Sequence, residues 1–448
     1  MLFSELPILV NIINLFNYSK LIKQCDIDEL ELTIADLIDH FIETQPLSVS
    51  NYNFHTNIND YLYNIIHNSI SNMYNDNQKE SLHEELNDII EESSKKYFSK
   101  CMPIRSCPDT YVRKIPNISK MKEKINIIEN IPQPEQRTPE WYLFRHNLIT
   151  ASSAWKVFKS QSSINQLIVE KCKSINVDKY NSVNTSSPMH HGNKYEDVSI
   201  LFYENLYKTK IKDYGCIKHN KYSCLGASPD GINVDDTSDR YGRMLEIKNP
   251  TTRELTGIPK EDYWIQMQLQ METCNLNECD FLETVFKEYE DEDSFNSDGT
   301  FTYNNDNKLK GIIVYFMKDG KPFYEYMPLY MSQSDSNTWI DTIMDKNKDL
   351  TWIKNIYWWL DEYSCVLVLR NKNWFKHAIA PIEHVWSIIE QERISGFDHR
   401  IPKRNKNSQV NSTLEANDKN SCMINVDNLK NQIIYIETKF EPLDISGT

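Results

Sequence analysis

The feature that most narrows the fold is the stretch Met244-Leu245-Glu246-Ile247-Lys248, a short apolar run closed by Asn249-Pro250. Its composition suits a strand, and side chains two apart on a strand share a face. Leu245 and Ile247 are therefore expected to enter a core, while Glu246 and Lys248 project together into a solvated cleft. Upstream, Ser228-Pro229-Asp230-Gly231 reads as a turn. A chain returning antiparallel through residues 232–243 sets Asp230 beside Glu246. Read alone, Glu-x-Lys next to a turn aspartate is a surface ion pair, because motifs this short arise by chance. Its surroundings favour a site. Glu196 sits on an amphipathic helix, expected in its first turn, whose Val198, Leu201 and Phe202 face inward, and Gln266 lies on a helix after the strand. Two hard carboxylate ligands plus a backbone carbonyl and water describe a Mg²⁺ site better than a zinc site. A cation there acidifies water, and Lys248 can orient that water or offset charge on a phosphate.

Composition sets outer limits. The 448 residues, 40% hydrophobic and 25% charged, allow two or three globular domains. No apolar run has membrane-spanning length. The opening MLFSELPILVNIINLF carries Glu5 and lacks a basic leader or small-residue cleavage site, so no secretory signal is expected. The ten cysteines are scattered without a CxxC pair, which fits buried or half-buried thiols in a reducing compartment. They offer no four-cysteine cluster. The net charge of −15 argues against nucleic acid on its face. The charge is uneven, however. Lys95, Lys96, Lys100, Arg105, Arg113, Lys114, Lys120, Lys122 and Lys124 stand against Asp109 and Glu123 alone, a candidate strip for tracking phosphates. The acidic segment 288–299 is expected to be a polar loop without a core, directed away from any polyanion.

Periodicity divides the chain into four regions. Residues 1–102 show helical spacing and form a helical N-terminal domain. Residues 103–136 carry Pro103, Pro108, Pro116, Pro132 and Pro134 and read as an extended basic connector. Residues 137–395 mix helices and strands, including a hairpin turning at Asp319-Gly320, and return to helix from 334 onward. Residues 396–448 read as a largely disordered polar tail.

The order of a helical Glu, a turn Asp, a Glu-x-Lys strand and a helical Gln resembles the PD-(D/E)xK nuclease superfamily. WYLFRHNLITASS (141–153), GNKYED (192–197), GASPDGI (226–232), LEIKNP (245–250) and YWIQMQLQM (263–271) narrow this to the phage lambda exonuclease or YqaJ-like viral recombinase family. The resemblance covers roughly residues 137–335. The stretch YWWLDEYSCVLVLRNKNWFKHAIAPIEHVW is also similar to extensions in large DNA virus members. It implies an α/β (α+β) restriction-endonuclease-like core, a mixed central sheet flanked by helices. It further implies a Mg²⁺-dependent enzyme, with Mn²⁺ as a substitute, that degrades double-stranded DNA from 5′ ends in recombination or end processing. Asp230, Glu246 and the Ile247 carbonyl would bind metal, with Glu196 toward a second ion. Lys248 would assist the nucleophilic water, and Gln266 would position the lysine or the phosphate. Arg145 and Ser152 match the residues holding the 5′ phosphate, and Thr150 can cap a helix start at that point. Implied partners are duplex DNA ends and a single-strand annealing or replication protein, with no membrane. The expected location is soluble and intracellular, in host cytoplasm or a viral replication compartment. A structure-specific endonuclease of the same fold and a non-catalytic DNA-end scaffold are the alternatives.

Three positions depart from the family pattern. Asn147 stands for a glycine, where asparagine tolerates positive φ; His191 stands for a tryptophan and Asn249 for a cysteine. His190 and His191 are expected in a loop, and Tyr263 and Trp264 in the core.

Overall fold

The computed structural model describes residues 21–102, 104–108, 117–136, 138–175 and 184–401, which belong to one compact unit. The apolar opening segment, Arg113, Lys114 and the tail beyond Ile401 lie outside the described residues.

Three helices open the described chain: α1 (Gln24–Thr44), α2 (Phe54–Ile70) and α3 (Lys79–Lys100). Each buries a stripe at helical spacing, such as Phe54, Ile58, Leu62 and Ile66 of α2. These stripes join the largest hydrophobic cluster of the protein. After β1 (Cys107–Pro108), the stretch read as an extended connector holds a helix, α4 (Ile118–Asn130). Its Asn117 cap accepts from the Lys120 amide at 3.0 Å, and Ile125 and Ile128 are buried. Pro132 and Pro134 follow its end.

The central part follows as α5 (Pro139–His146), β2 (Ile149–Thr150), the single turn α6 (Ala151–Ala154), α7 (Gln161–Cys172) and α8 (Pro188–Tyr207). Short strands β3 (Ile211–Lys212), β4 (Ile217–Lys218), β5 (Leu225–Ala227) and β6 (Gly231–Asn233) lead to β7 (Met244–Lys248). Then come α9 (Glu261–Cys274), β8 (Glu278–Glu288), α10 (Glu292–Ser297), β9 (Lys310–Lys318), β10 (Lys321–Tyr326), α11 (Gln333–Lys346), β11 (Thr351–Leu369) and α12 (Lys372–Ser395).

The main sheet runs β10-β9-β11-β8-β7-β6-β3, with β1 also on β11; a smaller sheet orders β2-β5-β4. The β7–β8 pair is parallel and the others in the main sheet are antiparallel. Parallel neighbours need a crossover, and α9 supplies it. Nine of its fourteen residues are buried, so α9 is enclosed rather than amphipathic. This mixed sheet flanked by helices is the α/β architecture expected of a restriction-endonuclease-like core.

Several readings need correction. The stretch from 334 is not continuously helical, because β11 runs for 19 residues between α11 and α12. Its aromatic and β-branched residues pair with both β8 and β9, so the strand is a central member of the sheet. Segment 288–299 does form a core: Phe295 of α10 is fully buried among Ile312, Met327 and Tyr357. The Asp319-Gly320 hairpin is present, with φ of 50° and 74° at the two positions, as a two-residue turn requires. Among the described cysteines, Cys25 and Cys101 are exposed rather than buried.

The loop joining β6 to β7 is fastened from beneath. Asp280 of β8, 1% exposed, receives Arg240, Arg243 and the Tyr203 hydroxyl. Gly242 closes that loop at φ +76°, against Met121 of α4, where a Cβ would collide. This anchoring fixes the register Gly231↔Leu245, from which the site follows.

Candidate active site

The β6–β7 register places Asp230 opposite the middle of β7, where its Oδ2 accepts from the Ile247 amide at 2.7 Å. Glu246 lies on the same strand and is 0% exposed, so the solvated cleft expected for it is corrected: this carboxylate is buried. Burial of a charge demands partners. Lys248 contacts its Oε1, as does the Gln266 amide at 2.7 Å, and the Gln270 amide reaches Oε2 at 2.7 Å. Glu246 and Lys248 thus meet on one face, while Leu245 and Ile247 pack into a core on the other.

Electrostatics bind the group together. Burial first, and then the neighbouring Glu246 and Glu196 carboxylates, hold the Asp230 carboxyl well above the usual range, with Lys248 and the Ile247 amide opposing. Burial alone would lower Lys248, but Glu246 and Asp230 outweigh it and the net direction is upward. Glu196 is near enough to act on Asp230, and it lines a cavity of about 400 Å³ with Asp197, Asp213 and Tyr214. It sits in the third turn of α8, not the first, because Ser187 caps the helix with Pro188 in the opening turn. Asn249 ties this helix to the sheet, accepting from Ser199 and Thr284 and donating to Gly192 O.

The donor chemistry suits a divalent cation. Asp230 and Glu246 bring two carboxyl groups against the single ammonium of Lys248, and a hard cation would favour the ionised form that burial and Glu246 oppose at Asp230. Gln270 Oε1 is buried without a hydrogen-bond partner, an acceptor aligned with no donor of the protein. Among the described residues no three His, Cys, Asp or Glu side chains cluster at metal-holding distance. A cation here would draw on Asp230, Glu246, the Ile247 carbonyl and water.

A second, cationic corner lies alongside. Arg145 donates to Ser152 and Ser228 hydroxyls, both at 3.1 Å, and stacks over Trp141. Lys171 donates to Arg145 O at 2.8 Å, and Arg393 of α12 holds Lys171 O, His146 O and Asn147. Burial, with Arg145 and Arg393 nearby and Glu170 opposing, lowers Lys171 to about 8. Such crowding of cations is what an anion would relieve. Asn147 has φ −88°, so the expected positive-φ turn is not adopted. The helix starting at Thr150 is a four-residue turn, and Thr150 bonds Ser152 and Ser153 instead of capping backbone.

Sequence reading missed Gln270, Ser228, Lys171 and Arg393. Gln270 had a signal: it follows Gln266 by four residues, on the same helix face. Lys171 and Arg393 had none, since they arrive from distant elements. Trp264 is core, with Nε1 donating to Arg105 O, but Tyr263 is half-buried and lines the cleft, near Lys248 and Arg253. His190 and His191 belong to the first turns of α8, where His190 meets the Tyr324 hydroxyl at 2.6 Å. Part of the basic strip is tied within the protein. Lys95, Lys96 and Lys122 are paired with acids, Lys124 bonds Asn275 O, and Arg105 is buried against Val49 O and Ser50 O.

Residues 140–277 match the YqaJ-like viral recombinase domain. The matched span holds both the carboxylate–lysine group and Arg145. An uncharacterized protein of Acanthamoeba polyphaga mimivirus is 29% identical over 305 residues, 59% of this chain and 54% of that protein, so the chain spans about half of its length. An alkaline exonuclease from Laribacter hongkongensis, also solved in complex with dAMP, aligns at 20% identity and TM-score 0.34, over 57% of this chain and 94% of that one. Among the described residues no helix is long and apolar enough to cross a membrane.

Proposed function

We propose that this YqaJ-like chain is a metal-dependent deoxyribonuclease that degrades duplex DNA from 5′ ends. The observation that carries the reading is the buried Asp230–Glu246–Lys248 group, with two carboxylates on one cation inside the matched domain. Mg²⁺, with Mn²⁺ as substitute, held by Asp230, Glu246 and the Ile247 carbonyl and with Glu196 toward a second ion, would supply Lewis acidity toward water and phosphate. The chain's own residues do the rest. Gln266 and Gln270 fix Glu246 from both sides. Lys248, kept charged, faces the phosphate as an electrostatic partner. Arg145 and Ser152, backed by Lys171 and Arg393, form an anion pocket suited to a terminal phosphate. Removal of 5′ nucleotides leaves a 3′ single strand, the substrate of an annealing or replication protein, which fits the recombinase family.

The test compares linear and covalently closed duplexes with Mg²⁺ or EDTA. Linear DNA bearing 5′ phosphates is degraded faster than DNA bearing 5′ hydroxyls, and circles persist. Efficient cutting of circles, with equal rates on both ends, would replace this reading with a structure-specific endonuclease on the same site.

A further inference from the structure

The cavity over the catalytic group, about 550 Å³, is lined by Lys248, Gln266, Tyr263, Arg253, Pro188 and Thr251 among others. A second cavity of about 490 Å³ shares Pro188 and Thr251 with it, so the two meet at the start of α8. Lys194, Lys354, His191, Tyr315, Tyr324 and Glu288 line this second space. None has a role in the site described above.

We propose that this second cavity extends the substrate cleft and holds the sugar–phosphate backbone of DNA leading away from the scissile phosphate. The proposal rests on the nuclease reading. Its lining suits that ligand better than a protein or an apolar one. Lys194 is tied to Glu288, and Lys354 is exposed on β11 and, among the described residues, makes no ion pair. Glu288 also senses the charge of Lys354, but one carboxylate faces two ammonium groups, which leaves net positive charge for a phosphate. The rings of Tyr315, Tyr324 and His191 give surfaces for a sugar or base. The volume lies within the range that encloses a nucleotide-sized ligand. The acidic segment bears on this: its first residue, Glu288, faces the cavity and holds Lys194 instead of pointing away.

The experiment measures equilibrium binding of a 5′-phosphorylated duplex in EDTA across salt concentrations, for wild type, Lys354→Glu, Lys354→Arg and the distant Lys95→Glu. Lys354→Glu should bind roughly tenfold more weakly, with the log–log salt slope reduced by about one contact. Lys354→Arg should retain wild-type binding, and Lys95→Glu should change it far less. Equal affinity and slope for Lys354→Glu and wild type would overturn the proposal, while wild-type cleavage in Mg²⁺ would leave the nuclease reading standing. A wild type that cleaves no DNA would remove the nuclease reading and this proposal with it.

Discussion

Asp230 is held protonated more readily in the folded chain than in the unfolded one, by burial and then by Glu246 and Glu196. The sign of the linkage is the reverse of the usual carboxylate case. Stability is undiminished below the ordinary carboxylate pKa and falls as pH rises toward the elevated folded value, because only the unfolded chain releases its proton freely. At neutral pH without metal, Asp230 therefore strains the fold. Asp230→Asn keeps an acceptor for the Ile247 amide and leaves one carboxylate for one ammonium. In EDTA it should raise Tm, by on the order of 1 °C for each kcal/mol relieved in a unit of this length, and it should lose the Mg²⁺-dependent rise in Tm of the wild type. A lower Tm in EDTA would contradict the charge accounting. For Arg145, each charge-assisted hydrogen bond contributes about 1.5–3 kcal/mol, so Arg145→Ala should slow cleavage roughly 10- to 100-fold. The loss should be larger on 5′-phosphate than on 5′-hydroxyl ends. An equal loss on both would make the arginine structural only.

At the scale of elements, the N-terminal helices are tied to the crossover helix. Arg105 holds the backbone at Val49 and Ser50, and its own carbonyl accepts from Trp264 of α9. Ser50 and Tyr52 reach Glu261 and Thr256. His55 lies in the same region, packed edge-on against Phe54 and Phe98. Burial, and then the charge of Arg105, lowers it to about 4. Its contribution is complete above the unfolded value near 6.5 and is lost as pH falls toward 4, by at most about 3 kcal/mol. His55→Gln should flatten the difference in unfolding free energy between pH 7 and 4 relative to wild type. Parallel pH profiles for the two proteins would refute this. The elements around the site were legible because local patterns specify them: the alternation in 244–248, the Pro-Asp-Gly turn and the helix carrying Gln266. The strand β11 was less so. Its aromatic-rich run reads as well for a buried helix as for a strand, and only pairing with β8 and β9 decides.

At the scale of the molecule, what the sequence could not show was convergence. Arg393 and Lys171 lie 222 positions apart and meet beneath Arg145. In the basic stretch 95–124, conspicuous in one dimension, Lys95, Lys96 and Lys122 meet acids while Arg105 and Lys124 hold backbone carbonyls. Glu246 reads as a solvated cleft residue by alternation, yet the enclosed helix α9 covers it with two amides. That covering is why the central claim is best tested by an isosteric change. The measurement is Mg²⁺-dependent release of nucleotides from a 5′-phosphorylated linear duplex by wild type and Glu246→Gln, with circular dichroism and Tm recorded for both. The account predicts rapid release by wild type, none in EDTA, and a loss of about 10²–10³-fold or more in the variant with its fold intact. A folded Glu246→Gln protein releasing nucleotides at the wild-type rate would contradict it.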